Sequence, residues 1–85
     1  MDGLYDEARR CATDLRAIGF ADAAGEVDRA LCGSTSSEIA VFLGAALSEM
    51  VRSHPALPAK LRSRMIKLRD QLRHILESSG WKCFW

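Results

Sequence analysis

No stretch of this 85-residue chain is apolar over the roughly 20 residues that a membrane-spanning helix needs. The longest small or apolar run, Ile39 to Leu47, covers nine. The start also lacks the apolar segment of a secretory signal, because Met1 leads into Asp2 and an alternating acidic and basic stretch. Cysteine is scarce and odd in number. Cys11, Cys32 and Cys83 show no CxxC spacing, which argues against a disulfide framework and for a reducing compartment. A cytoplasmic location is expected. HExxH, a P-loop, GxGxxG after a strand and an EF-hand loop are all missing. His54 precedes Pro55 in a turn, where a solvated side chain is expected. His74 follows Asp70 by one helical turn, so the two can pair, yet no serine or further acid stands where a triad or metal site needs it. No catalysis, metal or cofactor is expected.

What the chain does contain is apolar spacing of helical period. The stretch from Thr35 to Arg52 opens with a capping box, Thr35 three residues before Glu38. Ile39 to Leu47 follow without a polar residue, and Met50 and Val51 come one turn later. A helix apolar nearly all round wants neighbours on several sides, so it is expected at the centre of a small bundle. Ala40, Gly44 and Ser48 form a ridge of small side chains on it, as at a tight helix–helix crossing.

Before it, Leu4, Ala8, Cys11, Leu15 and Ile18 mark one stripe of a first helix, which Gly19 ends. Phe20, Ala24, Val27 and Leu31 mark a second, weakened by Gly25 unless another helix approaches there. After it, Pro55 stops the third helix and Pro58 fits the first turn of a fourth. Leu57, Leu61, Met65, Leu68, Leu72 and Ile75 form the stripe of that helix, widened by Ile66 and Leu76. The sequence thus predicts an all-α protein, a compact four-helix bundle with short loops. Its helices are expected near 2–18, 21–32, 35–53 and 57–78, in one domain over 1–80 followed by an aromatic tail over 81–85. The expected core is Leu4, Ala8, Cys11, Leu15, Ile18, Phe20, Val27, Leu31, Ile39, Phe42, Leu43, Ala46, Leu47, Met50, Leu61, Met65, Leu68, Leu72 and Ile75.

Charge sums to only +1 but divides unevenly, −5 over residues 1–50 and +6 over 51–85. Part of this is expected to neutralise across helix contacts. The rest offers two surfaces to a protein partner. One is acidic, drawn from Asp2, Asp6, Glu7, Asp14, Asp22, Glu26 and Asp28. The other combines Arg62, Arg69 and Arg73 of the fourth helix with Trp81, Phe84 and Trp85, and suits an acidic partner or a second copy. Cations at Lys60, Arg62, Arg64, Lys67, Arg69 and Arg73 also permit nucleic-acid binding by residues 57–78, the alternative function. The pI of about 7.8 and the lack of interleaved aromatics weigh against it. The second and third helices have helix-turn-helix proportions, but Glu38 and Ile39 stand where base-reading residues belong.

The order Gly19-Phe20, a short amphipathic helix, Leu31-Cys32-Gly33-Ser34-Thr35-Ser36-Ser37-Glu38-Ile39, an apolar helix, Pro55 to Pro58 and a basic helix resembles small bacterial all-helical proteins. Some of that kind are immunity or antitoxin partners. The resemblance covers Ile18 to Leu76, assigns no functional residue, and implies a non-catalytic inhibitor whose acidic side covers a basic toxin site. Two mutational outcomes follow. Gly44→Leu is expected to destabilise severely by overpacking a crossing, read by thermal unfolding. Charge reversal at Arg62 and Arg69 is expected to change partner affinity more than stability.

Overall fold

Helical spacing is realised as four helices, α1 over Asp2–Ala17, α2 over Ala21–Ala30, α3 over Ser36–Ser53 and α4 over Ala59–Ser78. The computed structural model describes residues 2–85, the side chain of Asp2 excepted. Met1 and the Asp2 part of the expected acidic side therefore lie outside the described residues. Each helix boundary has a local cause. Gly19 takes φ +94°, which lets the Gly19 N–H donate to Arg16 O and the Phe20 N–H to Leu15 O. Gly80, at φ +93°, closes α4 in the same way, onto Glu77 O and Leu76 O. The Thr35 hydroxyl accepts from the Glu38 N–H at 3.1 Å and starts α3. Pro58 sits at the N-cap of α4, one position before the first turn.

Every helix packs on its sequence neighbours, and α1 closes onto α4, so among the described residues the four stand at the corners of a bundle with no helix backbones packed across the diagonals. One side chain crosses, the Tyr5 hydroxyl of α1 donating to Ser36 O at the start of α3 at 3.1 Å. Such a ring has no central helix. This corrects the expected place of α3, whose packing neighbours are α2 and α4. Its buried arc carries Ala40, Leu43, Gly44, Leu47, Ser48 and Met50. Phe42 points the other way and is 51% exposed. Ile18 also leaves the expected core, at 46% exposure, because α1 has ended before it and the chain reverses at Gly19.

Ile39 is only half-buried and lies over Gly33. Ile75 gives way to Leu76 as the buried residue at the end of α4, where Ser36, Ser37 and Ala40 of α3 flank it. Leu4, Phe20, Leu31 and Ala46 pack against the core from its edge. Alanines fill positions the apolar stripes passed over: Ala12, Ala23, Ala30 and Ala40 are all buried. Small side chains let the helices approach closely, so an 85-residue chain achieves a continuous core of short residues. His54 is not merely solvated. It ends α3 and meets Phe20 edge to face, centroids 5.4 Å apart.

Charge neutralisation across helices rests on the Arg16–Asp28 pair between α1 and α2, 2.8 Å apart, and above all on Arg64. Arg64 of α4 reaches α1, bonding Glu7 Oε1 at 2.9 Å and Asp14 Oδ2 at 2.5 Å. Burial pushes the Glu7 carboxyl upward, but hydrogen bonds from Arg64 and Arg10 and their charge outweigh it and hold it below its ordinary value. A carboxylate lowered on folding contributes stability that is present above its unfolded value of 4.5 and lost as pH falls through the folded one. Urea unfolding at about pH 7 and about pH 3 is therefore expected to show a smaller acid loss for Arg64→Met than for the native chain. At pH 7 that substitution should cost about 1 kcal/mol, since Arg64 and Asp14 remain partly solvated. Gly25 offers the opposite result. An added Cβ would meet nothing nearer than Arg29 Nη1 at 3.9 Å, so no helix approaches there. Gly25→Ala should raise stability by about 1 kcal/mol, seen as a higher unfolding midpoint.

Candidate protein-binding surface

The cations of α4 divide by what holds them. Arg62 is turned inward to the end of α3, its Nη1 donating to Val51 O at 2.8 Å and its Nη2 to His54 O at 2.6 Å. It thereby satisfies carbonyls that a helix C-terminus leaves without partners. Arg64 is tied to α1 as above. Arg69 bonds its neighbour Asp70, 3.0 Å from Nη2 to Oδ1, so Asp70 is engaged there and not with His74. Arg73 stacks on the Trp85 ring, 5.5 Å from its centroid. Lys60 and Lys67 remain on the outer face, with no carboxylate partner among the described residues. A shallow groove of about 820 Å³ runs along this face between Leu4, Ile66 and Ile75, edged by Lys67, Asp70 and His74. Intramolecular contacts thus engage all four of the guanidinium groups that the nucleic-acid reading needs, each of them half-buried.

The acidic residues divide too. Asp6, Glu7, Asp14 and Asp28 pair with Arg9, Arg10, Arg64 and Arg16 in turn. Glu26 pairs with Arg29 one turn along α2, and Glu49 with Arg52 on α3. Asp22 is exposed and has no basic partner among the described residues. Asp22, Glu26 and Glu49 border one surface, the outer side of α2 and α3, where Ala23, Ala46 and Met50 lie between them. Phe42 continues this surface beside Ala30, Ala45 and Ala46, with Glu26 and Arg29 at its edge. Residues 21–53 hold five acids against two arginines, a formal −3. An exposed phenyl ring among alanines, with the Glu26–Arg29 pair at its edge, is the surface that sequence reasoning missed. The unbroken apolar run of α3 was its signal, and assuming a central helix concealed it.

The tail splits in another way. Trp85 folds back onto α3, and its ring lies directly on Gly44, so that a Cβ there would collide with the indole. The small-residue ridge is therefore a seat for an aromatic side chain, which corrects the expected helix–helix crossing. Cys83 also packs against the core, while Trp81 is 46% and Phe84 86% exposed. Of the expected site residues, Asp22 and Glu26 share the α2–α3 face. Arg69, Arg73 and Trp85 lie along the α4 side, Trp81 and Phe84 project from the tail, and Asp14 and Arg62 are held in structural contacts.

Burial pushes the Cys11 thiol up to about 11, the charge of Arg64 notwithstanding, which leaves it a protonated core residue. Cys83 is raised by burial and by Glu77. No group of three histidine, cysteine or carboxylate side chains stands close enough to hold a metal ion among the described residues, and no described helix is long and apolar enough to cross a membrane. No protein-family model, curated protein or solved structure matches this chain.

The inward turn of Arg62 revises what reversing its charge should do. Arg62→Glu would take the side-chain donor from Val51 O, leave His54 O with the Leu57 N–H alone, and add a negative charge beside them. It should therefore cost about 2 kcal/mol of stability, whereas Arg69→Glu should cost less than about 1 kcal/mol. Chemical denaturation of the two variants distinguishes them.

Proposed function

We propose that the chain is a non-catalytic protein-binding module that presents the outer side of α2 and α3 to a basic partner. The observation that carries this reading is Phe42, half exposed beside Ala30, Ala45 and Ala46 with Glu26 and Arg29 at its edge, next to the strip that Asp22, Glu26 and Glu49 border. An aromatic ring in a desolvated centre supplies affinity, and a charged rim supplies encounter rate and partner choice. A soluble fold gains nothing from exposing phenylalanine on a helix whose other arc already supplies the core. The partner surface that fits is a helix or shallow pocket with lysine or arginine around an apolar spot. The finer form of the proposal is an inhibitor of the immunity or antitoxin kind, whose acidic face covers a basic toxin site. That form is supported by Asp22, Glu26 and Glu49 bordering the face and by the resemblance to the immunity and antitoxin kind.

A photo-crosslinking residue at position 42, in cells of the source organism, should capture one basic protein that can then be made and titrated against the purified chain. Phe42→Ala should leave the unfolding midpoint within about 0.5 kcal/mol of native, yet weaken that complex tenfold or more, the loss of about 1.4 kcal/mol. Asp22→Lys with Glu26→Lys should slow association and flatten its salt dependence. Equal binding by Phe42→Ala, or loss of binding only with Lys60→Glu and Lys67→Glu, would move the interface to α4 and overturn the proposal. Steep salt-dependent binding of duplex DNA would do the same in favour of the nucleic-acid alternative.

A further inference from the structure

The Gly44 seat is defined by what fills it. Ala40, Gly44 and Ser48 recur one turn apart on the buried arc of α3, and only glycine at 44 leaves room for the indole that lies there. Arg73 covers the other side of that ring. The fit is one of shape and of cation over π-face, while the polar groups are left over. Neither the Ser48 hydroxyl nor the Trp85 Nε1–H, both buried, meets a hydrogen-bond partner among the described residues. Ser48 itself is only 9% exposed. Unpartnered buried donors weaken a contact by their desolvation, so the docked state is held less firmly than its close packing suggests.

The tail that brings Trp85 there is short and lightly fixed. Residues 81–85 form no regular structure. The reversal before them depends on the left-handed Gly80 and on two hydrogen bonds, Gly80 N–H to Glu77 O and Trp81 N–H to Leu76 O. Opened at Gly80, the last five residues can reach at most about 17 Å from the helix end, far enough to meet another molecule but not to wander. In the closed form two of their three aromatics gain little, since Phe84 is 86% and Trp81 46% exposed.

We propose that residues 81–85 exchange between two copies of this chain, the Trp85 of each taking the Gly44 seat of the other. The segment itself is the one occupant whose fit the structure demonstrates. Exchange keeps every contact of the seat and adds a two-fold contact in which Trp81 and Phe84 leave water, the low-cost route to a dimer. Short connections that reverse sharply favour such an exchange. The inference is independent of the Phe42 face, which lies on the opposite arc of α3.

The test uses two complementary chains, with thiols kept reduced. One carries Gly44→Leu, which blocks its own seat and frees its tail. The other ends at residue 80, which leaves its seat open and removes both tryptophans of the sequence. Tryptophan emission then comes from the first chain alone. Mixing the two, neither of which can close on itself, should shift that emission to the blue and produce a 1:1 complex in sedimentation, at concentrations up to the order of 1 mM, the range in which the native chain must outcompete its own closed form. Adding Gly44→Leu to the truncated chain should abolish both signals. The native chain should likewise double in mass over the same range, and Phe84→Glu, which leaves the seat intact, should keep it monomeric. Helical circular dichroism of each chain checks folding. Should Gly44→Leu fail to fold, the native chain and Phe84→Glu still decide the matter. A native chain that stays monomeric at the highest concentration, or folded partners that mix with no shift in emission, would overturn the exchange.

Discussion

The apolar circumference of α3 exceeds what two flanking helices can cover, and most of the molecule's features answer that excess. One arc, Leu43, Leu47 and Met50 with Ala40, meets the bundle core. A second, Gly44, carries the indole of Trp85 in place of a fifth helix. The third is left open at Phe42, where alanines and the Glu26–Arg29 pair border the ring. In a four-cornered bundle each helix has two neighbours, so a helix apolar on every side must find other cover or expose itself. Here it does both. The hydrophobic effect that folds the chain is thus the same force that sets Trp85 on α3 and makes the uncovered Phe42 ring costly in water.

Charge plays the complementary part of deciding which exterior stays available. The acidic and basic halves of the sequence do not face solvent as two blocks. Arg64 joins α4 to Glu7 and Asp14 of α1, Arg62 closes the end of α3, and Arg73 covers Trp85. Three of the four arginines on α4 therefore act inside the fold, and the fourth, Arg69, is paired with its neighbour. The described acids of α1, Asp6, Glu7 and Asp14, are occupied in turn. On the outer side of α2 and α3, Glu26 and Glu49 pair only with arginines of their own helices, Asp22 has no basic partner among the described residues, and the exposed phenyl ring lies beside them. Agreement between an open apolar arc and an acidic rim that no neighbouring helix covers is the physical basis of the functional reading.

Much of the fold is legible from residue order because it is local. The helix number, the Thr35 cap, the Gly19 stop and the Pro55 break depend on chemistry within a few residues, and the helix ends fall within two residues of those expected. The stripe through Leu61, Met65, Leu68 and Leu72 is buried as its period demands. The misplaced residues are those whose fate depends on the number of neighbours. Periodicity shows that Phe42 and Ile18 are apolar and correctly spaced, but not that the bundle has no helix to set against one and that α1 stops short of the other. The same holds for Gly44. A ridge of small residues announces a close approach, and only the path of the tail makes the approaching group Trp85. The candidate site was legible in part, through Asp22 and Glu26, because exposed acids follow from the helical period. Its centre was not, because an aromatic in an apolar run looks like core until the packing is known.

The partition of α3 into covered, capped and open arcs is the claim on which the rest depends, and nuclear magnetic resonance of the dilute monomer tests it most directly. Cross-peaks are expected between the Trp85 ring protons and the Gly44 Hα protons, together with strong broadening of the Phe42 ring, but not of Leu43 or Leu47, by a soluble paramagnetic probe. A Phe42 ring shielded from the probe as well as Leu43, or a Trp85 ring with no cross-peak to Gly44, would contradict it.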